Sequence, residues 1–413
     1  MTYGGGDTGT PLRAPLQHTW ASPLAQPPHA LGATIPQAAP QEAHLRLPPV
    51  PTKGRAPWLW IWIVLAVLAV AVVGYFVSSL GAVGVAITSI LALIPFAGVI
   101  LTVVLVIDRW EPEPRSLIVF ALAWGAVAAI ALTLLTIPFL DGIAGAWGMD
   151  PLMAEILSII LRAPLLEEGW KLLGILLVLW MARNAFDGPV DGIVYGMLVG
   201  AGFAFTENIQ YFVIALYSGG IGGLAENFFM RGVMSPFAHA MFTGAIGLMI
   251  GLARRGGRSV PLFALLGYVL GVALHALWNA SSVLDLFFPN AFYTLYALVE
   301  VPIFVLFIVC IVQLRKEEMR LTRERLGEYA EAGWFTRQEV DMLATADGRR
   351  AGKRWAASRS AQAVALMNSF IRDATALAMA RQRARSGRDP GAVEDEHLLL
   401  HRAAATRRAL LAP

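Results

Sequence analysis

Residues 57–80 read PWLWIWIVLAVLAVAVVGYFVSSL, a run of 24 without a charged side chain. A helix of about 20 residues crosses about 30 Å of hydrocarbon, so this run fits a membrane span. Working outward, comparable runs recur at about 85–107, 116–140, 164–181, 190–215, 232–253, 260–284 and 292–314. The expected fold is all-α, a polytopic membrane helix bundle with about eight transmembrane helices. Charge supports the same reading. Of 32 Lys+Arg and 29 Asp+Glu, only 23 lie in residues 57–314, whereas 32 lie in the last 99 residues. A soluble domain carries about 25% charge, so the middle of this chain is no ordinary water-soluble core.

The chain divides into three regions. Residues 1–56 are rich in Pro, Ala, Gln and Gly, too poor in apolar periodicity to offset chain entropy, and read as a disordered cytoplasmic arm. No signal-peptide pattern lies near Met1, and Thr2 excludes myristoylation. Residues 57–314 form the transmembrane domain. Residues 315–413 read as a cytoplasmic helical, charged extension, with a capping-box pattern at Thr336-x-x-Glu339. Its basic clusters, Arg349 to Arg354 and Arg381 to Arg388, are expected as a solvated helical face, with contact to anionic lipid as the rival.

The alternate loops holding Lys53, Arg55, Arg109, Arg115, Arg183, Arg254, Arg255, Arg258, Arg315 and Lys316 fall on one side, which puts both termini in the cytoplasm. Only Arg162 and Arg231 sit at the opposite ends. The net charge of +3 therefore speaks of orientation, and no nucleic-acid partner is expected. No Walker loop or dinucleotide fingerprint occurs in strand-turn-helix context. One cysteine, Cys310, allows neither a disulfide nor a thiolate metal cluster, so any metal must use nitrogen and oxygen ligands.

The informative residues are those that are unfavourable in lipid. A charge near the centre of a span costs at least about 2.5–3.5 kcal/mol, yet Glu167, Glu168, Lys171 and Glu207 lie inside apolar helices, as do His239 and His275. Helical spacing places them on seams of small residues. Gly196, Gly200, Ala204, Glu207 and Tyr211 form one stripe. Gly232, Ser235, His239, Thr243, Gly247 and Gly251 form a second, and Gly267, Gly271, His275, Asn279 and Ser282 a third. Glu167 shares its face with Ala163, Lys171 and Gly174 and is expected to face the interior. Glu168 shares its face with Leu161, Leu165, Leu172 and Ile175 and is expected to face away, within reach of Lys171. The polar groups fall at similar depth in the outer half of the bundle.

These motifs resemble the PrsW family of intramembrane proteases. The matching pieces are Glu167-Glu168-x-x-Lys171, Phe203-x-x-x-Glu207-Asn208, His239 followed by Phe242 and Thr243, and His275-x-x-x-Asn279, together with the acidic-proline turn Asp108-Arg109-Trp110-Glu111-Pro112-Glu113-Pro114. The resemblance covers roughly residues 57–314. It extends distantly to the membrane endopeptidases that process CAAX proteins and bacteriocins, from which this chain departs by having Glu207-Asn208 where they have a histidine. It implies a bacterial plasma-membrane protease acting on a single-pass membrane protein, such as an anti-sigma factor, within the lipid bilayer.

On that resemblance Glu167 is the expected general base, Glu168 its assistant or the holder of Lys171, and Asn279 an oxyanion donor. Phe203, Asn208 and Thr243 support the site. In a metal version Glu207, His239 and His275 make a two-His, one-carboxylate set suited to Zn2+. A metal-free version uses the same residues with the histidines as hydrogen-bond donors, and both versions stay open. The rival class is a proton- or ion-coupled transporter, since intramembrane Glu, His and Lys also mark ion paths.

Overall fold

The computed structural model describes residues 59–411 except 147, 184, 388 and 390. The expected arm, 1–56, lies outside the described residues. Every regular element among the described residues is helical, and they divide into a unit ending at Glu318 and one beginning at Met319. The first unit is an all-α polytopic membrane bundle. Its helices are α1 (Leu59–Leu80), α2 (Ala82–Thr102), α3 (Arg115–Ala123), α4 (Ile130–Ala146), α5 (Pro151–Leu157), α6 (Ala163–Met181), α7 (Pro189–Phe228), α8 (Ala238–Gly256), α9 (Val260–Asp285), α10 (Ala291–Leu295) and α11 (Val301–Glu331), the last running on into the second unit. Among the described residues five π-helical turns interrupt or join them, at Val103–Ile107, Trp124–Ala129, Ser158–Arg162, Phe229–Met234 and Tyr296–Glu300.

Six helical runs among the described residues are long and apolar enough to cross a membrane. The expectation of eight differs for two physical reasons. The fourth expected span, α6, holds Glu167, Glu168 and Lys171 within 19 residues, which lowers its apolarity. The fifth and sixth join in one 68-residue run, Pro189–Gly256. The stretch Ser218–Glu226, between the fifth and sixth expected spans, is helical too, broken only by Gly220 at φ 60° and ψ −151°, a conformation open to glycine alone.

The 68-residue run folds back on itself, and glycine sets its register. An ideal Cβ on Gly192 would lie 2.0 Å from the Gly247 carbonyl oxygen, one on Gly196 2.4 Å from that of Thr243, and one on Gly200 2.3 Å from that of His239. Each step of four along α7 meets a step of four back along α8, so the two helices pack antiparallel with their backbones in contact. The small-residue stripes read in the sequence are this contact. On its other side α7 meets the turn Trp124–Ala129, where a Cβ on Gly125 would lie 1.9 Å from the Val199 oxygen. All residues of α7 from Pro189 to Phe203 are buried. Apolar side chains such as Val70, Val83, Leu135 and Leu298 instead point outward from other helices, as lipid-facing residues do.

The acidic-proline turn braces one end of the bundle. Asp108 accepts from the Glu113 amide at 3.1 and 3.2 Å, and the Tyr195 hydroxyl donates to Glu113 at 2.7 Å. Tyr195 stands 12 residues before Glu207 on α7, about 18 Å along a helix axis, so the turn is remote from the intramembrane carboxylates.

The second unit packs around Leu326, Tyr329, Phe370, Leu377 and Leu400. Thr336 and Glu339 cap α12 (Arg337–Leu343) reciprocally, as the sequence pattern indicated. Its basic clusters differ from the expected solvated face at two positions. Arg381 is fully buried against Glu328 at 2.8 Å and Glu396 at 3.2 Å, and buried Arg349 donates to the Leu343 carbonyl and the Thr375 hydroxyl. These two arginines hold the unit together from inside.

The backbone contact of α7 and α8 gives the first prediction. Gly247→Ala places a methyl against the Gly192 carbonyl and should destabilise the protein by about 1–3 kcal/mol, a typical overpacking penalty. Gly98→Ala, with no atom within 4 Å of its new Cβ, should not. Thermal unfolding in detergent compares the two, and an equal response would refute the close contact.

Candidate active site

The buried stripe of α6 runs Pro164, Glu167, Glu168, Lys171, Gly174, Ile175, Val178 and Met181. This is the i, i+3, i+4, i+7 pattern of a helix whose apolar or interior face spans more than about 100° of arc, wide enough to take two adjacent residues. Glu168 therefore does not face away. It is fully buried, whereas Leu161 and Leu165 of its expected face are exposed.

Glu168 accepts three hydrogen bonds. Lys171 Nζ donates to Oε1 at 2.7 Å, Thr243 Oγ1 to Oε2 at 2.9 Å, and His275 Nδ1 lies 3.1 Å from Oε1. Lys171, with no exposed surface, also reaches His239 Nδ1 at 3.0 Å and Glu167 Oε2 at 3.5 Å, and it stands 3.8 Å over the centre of the Phe203 ring. An ammonium only donates, so His239 Nδ1 accepts and the ring proton sits on Nε2. That nitrogen faces Glu207 Oε2 at 2.9 Å. His275 turns Nδ1 toward Glu168, so in its neutral form Nε2 carries the lone pair, 3.9 Å from Glu167 Oε2.

Each histidine is thus oriented by an outer carboxylate, His275 by Glu168 and His239 by Glu207. The arrangement is the one that fixes tautomers at metal sites. Glu167 Oε2 is buried and makes no hydrogen bond. Glu167, His239 and His275 each offer a ligand atom, all within 4.8 Å of one another and all buried. This donor set fits a divalent metal ion, with the condition that Lys171 leaves Nδ1 of His239 or Glu207 leaves Nε2. It differs from the expected set in one member. Glu207 is engaged by Nε2 of His239 and by the Arg231 guanidinium, and the carboxylate left with a vacant lone pair is Glu167.

Arg231 was not among the site residues expected from sequence. It sits on the π-helical turn Phe229–Met234, pairs with Glu207, donates to Asn208 Oδ1 at 2.7 Å and covers the Tyr211 ring at 4.0 Å. The signal available beforehand was its place as one of two basic residues at span ends that otherwise carry no cation. Asn279, expected as an oxyanion donor, instead donates to the Ile159 carbonyl at 2.8 Å and ties α9 to the turn before α6. Phe203, Asn208 and Thr243 all touch the cluster through Lys171, Arg231 and Glu168.

With this geometry in hand, residues 113–307 match the model of a family described as PrsW family intramembrane metalloprotease. Over this segment the chain is similar to the PrsW family. Three relatives bear the name Protease PrsW. That of Geobacillus kaustophilus is 27% identical over 172 residues, 42% of this chain and 69% of the relative. Those of Oceanobacillus iheyensis and Shouchella clausii are 31% and 32% identical over 36% and 37% of this chain. The aligned stretches span 64% and 63% of those two proteins, just under two thirds. No solved structure matches the chain significantly. The matched segment holds Glu167, Glu168, Lys171, Glu207, His239 and His275 and stops short of the second unit.

The Arg231 pairing is testable apart from any activity. Arg231→Met leaves Glu207 without its cation and should destabilise the protein by roughly 3 kcal/mol. Adding Glu207→Gln should recover much of that loss, because no charge is then stranded. Additive effects in a double-mutant cycle of detergent unfolding would mean that the two groups are uncoupled.

Proposed function

We propose that the chain is an intramembrane endopeptidase that cuts a single-pass membrane protein near the outer membrane face, with both of its own termini cytoplasmic. The observation that carries this reading is Glu167 Oε2, a buried carboxylate oxygen without a hydrogen bond, beside Lys171 and facing Nε2 of His275. A general base needs a lone pair within reach of water and fixed neighbours around it. Glu167 takes a proton from the attacking water, and the neighbouring Lys171 ammonium balances the charge. Glu168 keeps Lys171 and His275 in place, while Glu207 does the same for His239. The histidines orient the water and the scissile carbonyl. The proton on Glu167 then passes to the leaving amine.

In the metal version Glu167 would be a ligand instead of the free base, holding the ion of a metalloprotease with His239 and His275, and we propose Zn2+ on the strength of two imidazoles and one carboxylate. Bound there, it would supply Lewis acidity to the carbonyl and lower the pKa of water. The metal-free version is favoured by one observation, the Lys171 ammonium already standing where a cation is needed. Regulatory proteins of the anti-sigma type are the substrate class that the family resemblance suggests. A transporter is not favoured, because Glu167, Glu168, Lys171, Glu207, His239 and His275 contact one another in one cluster instead of lining a path across the bundle.

The deciding comparison takes membranes from cells expressing wild type or Glu167→Gln at equal levels and scores new peptide termini on single-pass proteins by mass spectrometry. Wild-type-dependent termini near the outer ends of substrate spans are expected. Their absence across several envelope stresses would remove the protease reading.

Zinc affinity of the purified protein, measured by competition with a fluorescent chelator, separates the two versions. His275→Ala should abolish binding, and Glu168→Gln should weaken it about 10–100-fold, as loss of an outer carboxylate does. Lys171→Met should tighten it by removing the competing ammonium. If wild type binds no zinc and a chelator leaves cleavage intact, the metal-free version holds.

A further inference from the structure

Beside the catalytic cluster lies a cavity of roughly 290 Å3 between α8, α9 and the helix formed by α10 and α11. Its walls are apolar, Met241, Phe242, Leu277, Trp278 and Phe304 among them, and Glu300 is the one carboxyl among its lining residues. The π-helical turn Tyr296–Glu300 carries this carboxyl, and such turns are frequent at functional sites. Glu300 is 8% exposed. Its Oε1 accepts from Ser281 Oγ at 2.9 Å, while Oε2 is buried with no hydrogen-bond partner.

Two contacts tie the cavity to the reacting groups. Phe242 stacks on His275 with ring centres 5.2 Å apart and lines the cavity as well. Ala238, which also lines it, directly precedes His239. In an extended peptide successive residues are about 3.3 Å apart, so a chain with one carbonyl at the histidines can lay a neighbouring side chain in this space. The volume exceeds the roughly 150 Å3 that accommodates benzene. A buried acceptor without a donor is unfavourable, and a ligand carrying the donor relieves it.

Resting on the protease reading, we propose that this cavity is the pocket for a substrate side chain beside the cut bond. Glu300 selects one with a large apolar body and a hydrogen-bond donor at its tip, a tyrosine or a tryptophan. Aromatic rings with one polar end match such a space. A phenylalanine, or a lipid acyl chain, would fill the volume and leave Oε2 unmatched.

The comparison of membrane-protein termini tests this with added arms expressing Glu300→Leu, Glu300→Gln and Leu277→Trp, each at matched membrane level. Wild-type cut sites should share Tyr or Trp at one fixed position within about three residues of the cut, an extended reach of about 10 Å. Glu300→Leu should move that preference toward Phe and Leu by at least about tenfold, since a pocket built around a polar group discriminates strongly against analogues lacking its partner. Glu300→Gln, whose amide oxygen still accepts, should move it less, and Leu277→Trp should move it toward small side chains. Cut sites without a fixed aromatic position, or a preference unchanged in Glu300→Leu, would overturn the pocket and leave the protease standing. Should Glu300→Leu fail to accumulate, an unchanged preference in Leu277→Trp overturns it equally. Absence of wild-type-dependent termini removes the protease and the pocket together.

Discussion

A charge held inside a membrane bundle must find its partners there, because neither lipid nor bulk water supplies them. Lys171 has no exposed surface and meets that constraint with Glu168, Glu167 and His239. Those partners sit on α6 and α8, and the ring beneath the ammonium, Phe203, is on α7. Three helices must therefore approach closely at one level. Glycine makes that approach possible. The contact at Gly200 sets its Cα against the His239 carbonyl, the residue whose ring then reaches Lys171 on one side and Glu207 on the other. Backbone packing and polar satisfaction are two aspects of one arrangement here. A larger residue at the α7–α8 contact would separate the helices and leave buried charges without partners.

Much of this was legible in the sequence because a straight α-helix repeats every 3.6 residues and its stripes can be followed by counting. The seams through Gly196 and Gly200, through His239 and Gly247, and through Gly271 and His275 are interior faces in the structure. Counting fails where the helix changes its repeat. A π-helical turn inserts one residue and rotates every later position by roughly 100°. Arg231 lies within one such turn and Glu300 ends another, while Glu168 was misplaced because the interior face of α6 is wide enough to take two adjacent carboxylates. Those are the residues whose surroundings the periodicity misassigned or passed over. The partner of Asn279 was missed for a different reason. Its stripe pointed inward, as expected, but at that height the nearest acceptor is the Ile159 carbonyl, whose position depends on the path of the chain into α6. Seam position alone cannot give a partner that comes from an irregular segment.

The same logic explains the count of spans. Apolarity sorted out α1, α2 and α9 without difficulty, since their exposed faces meet lipid and carry the composition that lipid requires. Helix α6 loses apolarity to its three charges, yet it is held by interior contacts on the stripe from Pro164 to Met181. Composition therefore understates a helix whose polar groups are matched inside the protein. The long run Pro189–Gly256 misleads in the opposite direction, because its continuity in secondary structure hides a reversal that only the glycine register reveals.

Within the cluster, the distribution of hydrogen bonds bears on which group reacts. Glu168 has three partners. Glu207 is shared between His239 and Arg231, and His239 is engaged on both nitrogens. A saturated group holds its neighbours in place but has little freedom to take up a new ligand or proton. Glu167 is the exception, with one oxygen unbonded among fixed donors and lone pairs. Two adjacent carboxylates on one helix thereby acquire opposite duties, Glu168 as the frame and Glu167 as the group left available. Where the wider CAAX-type resemblance would put a histidine, Glu207 contributes a carboxylate that orients His239 from outside. A carboxylate at position 207, buried beside His239, requires a compensating cation. Arg231, on the irregular turn before α8, supplies it.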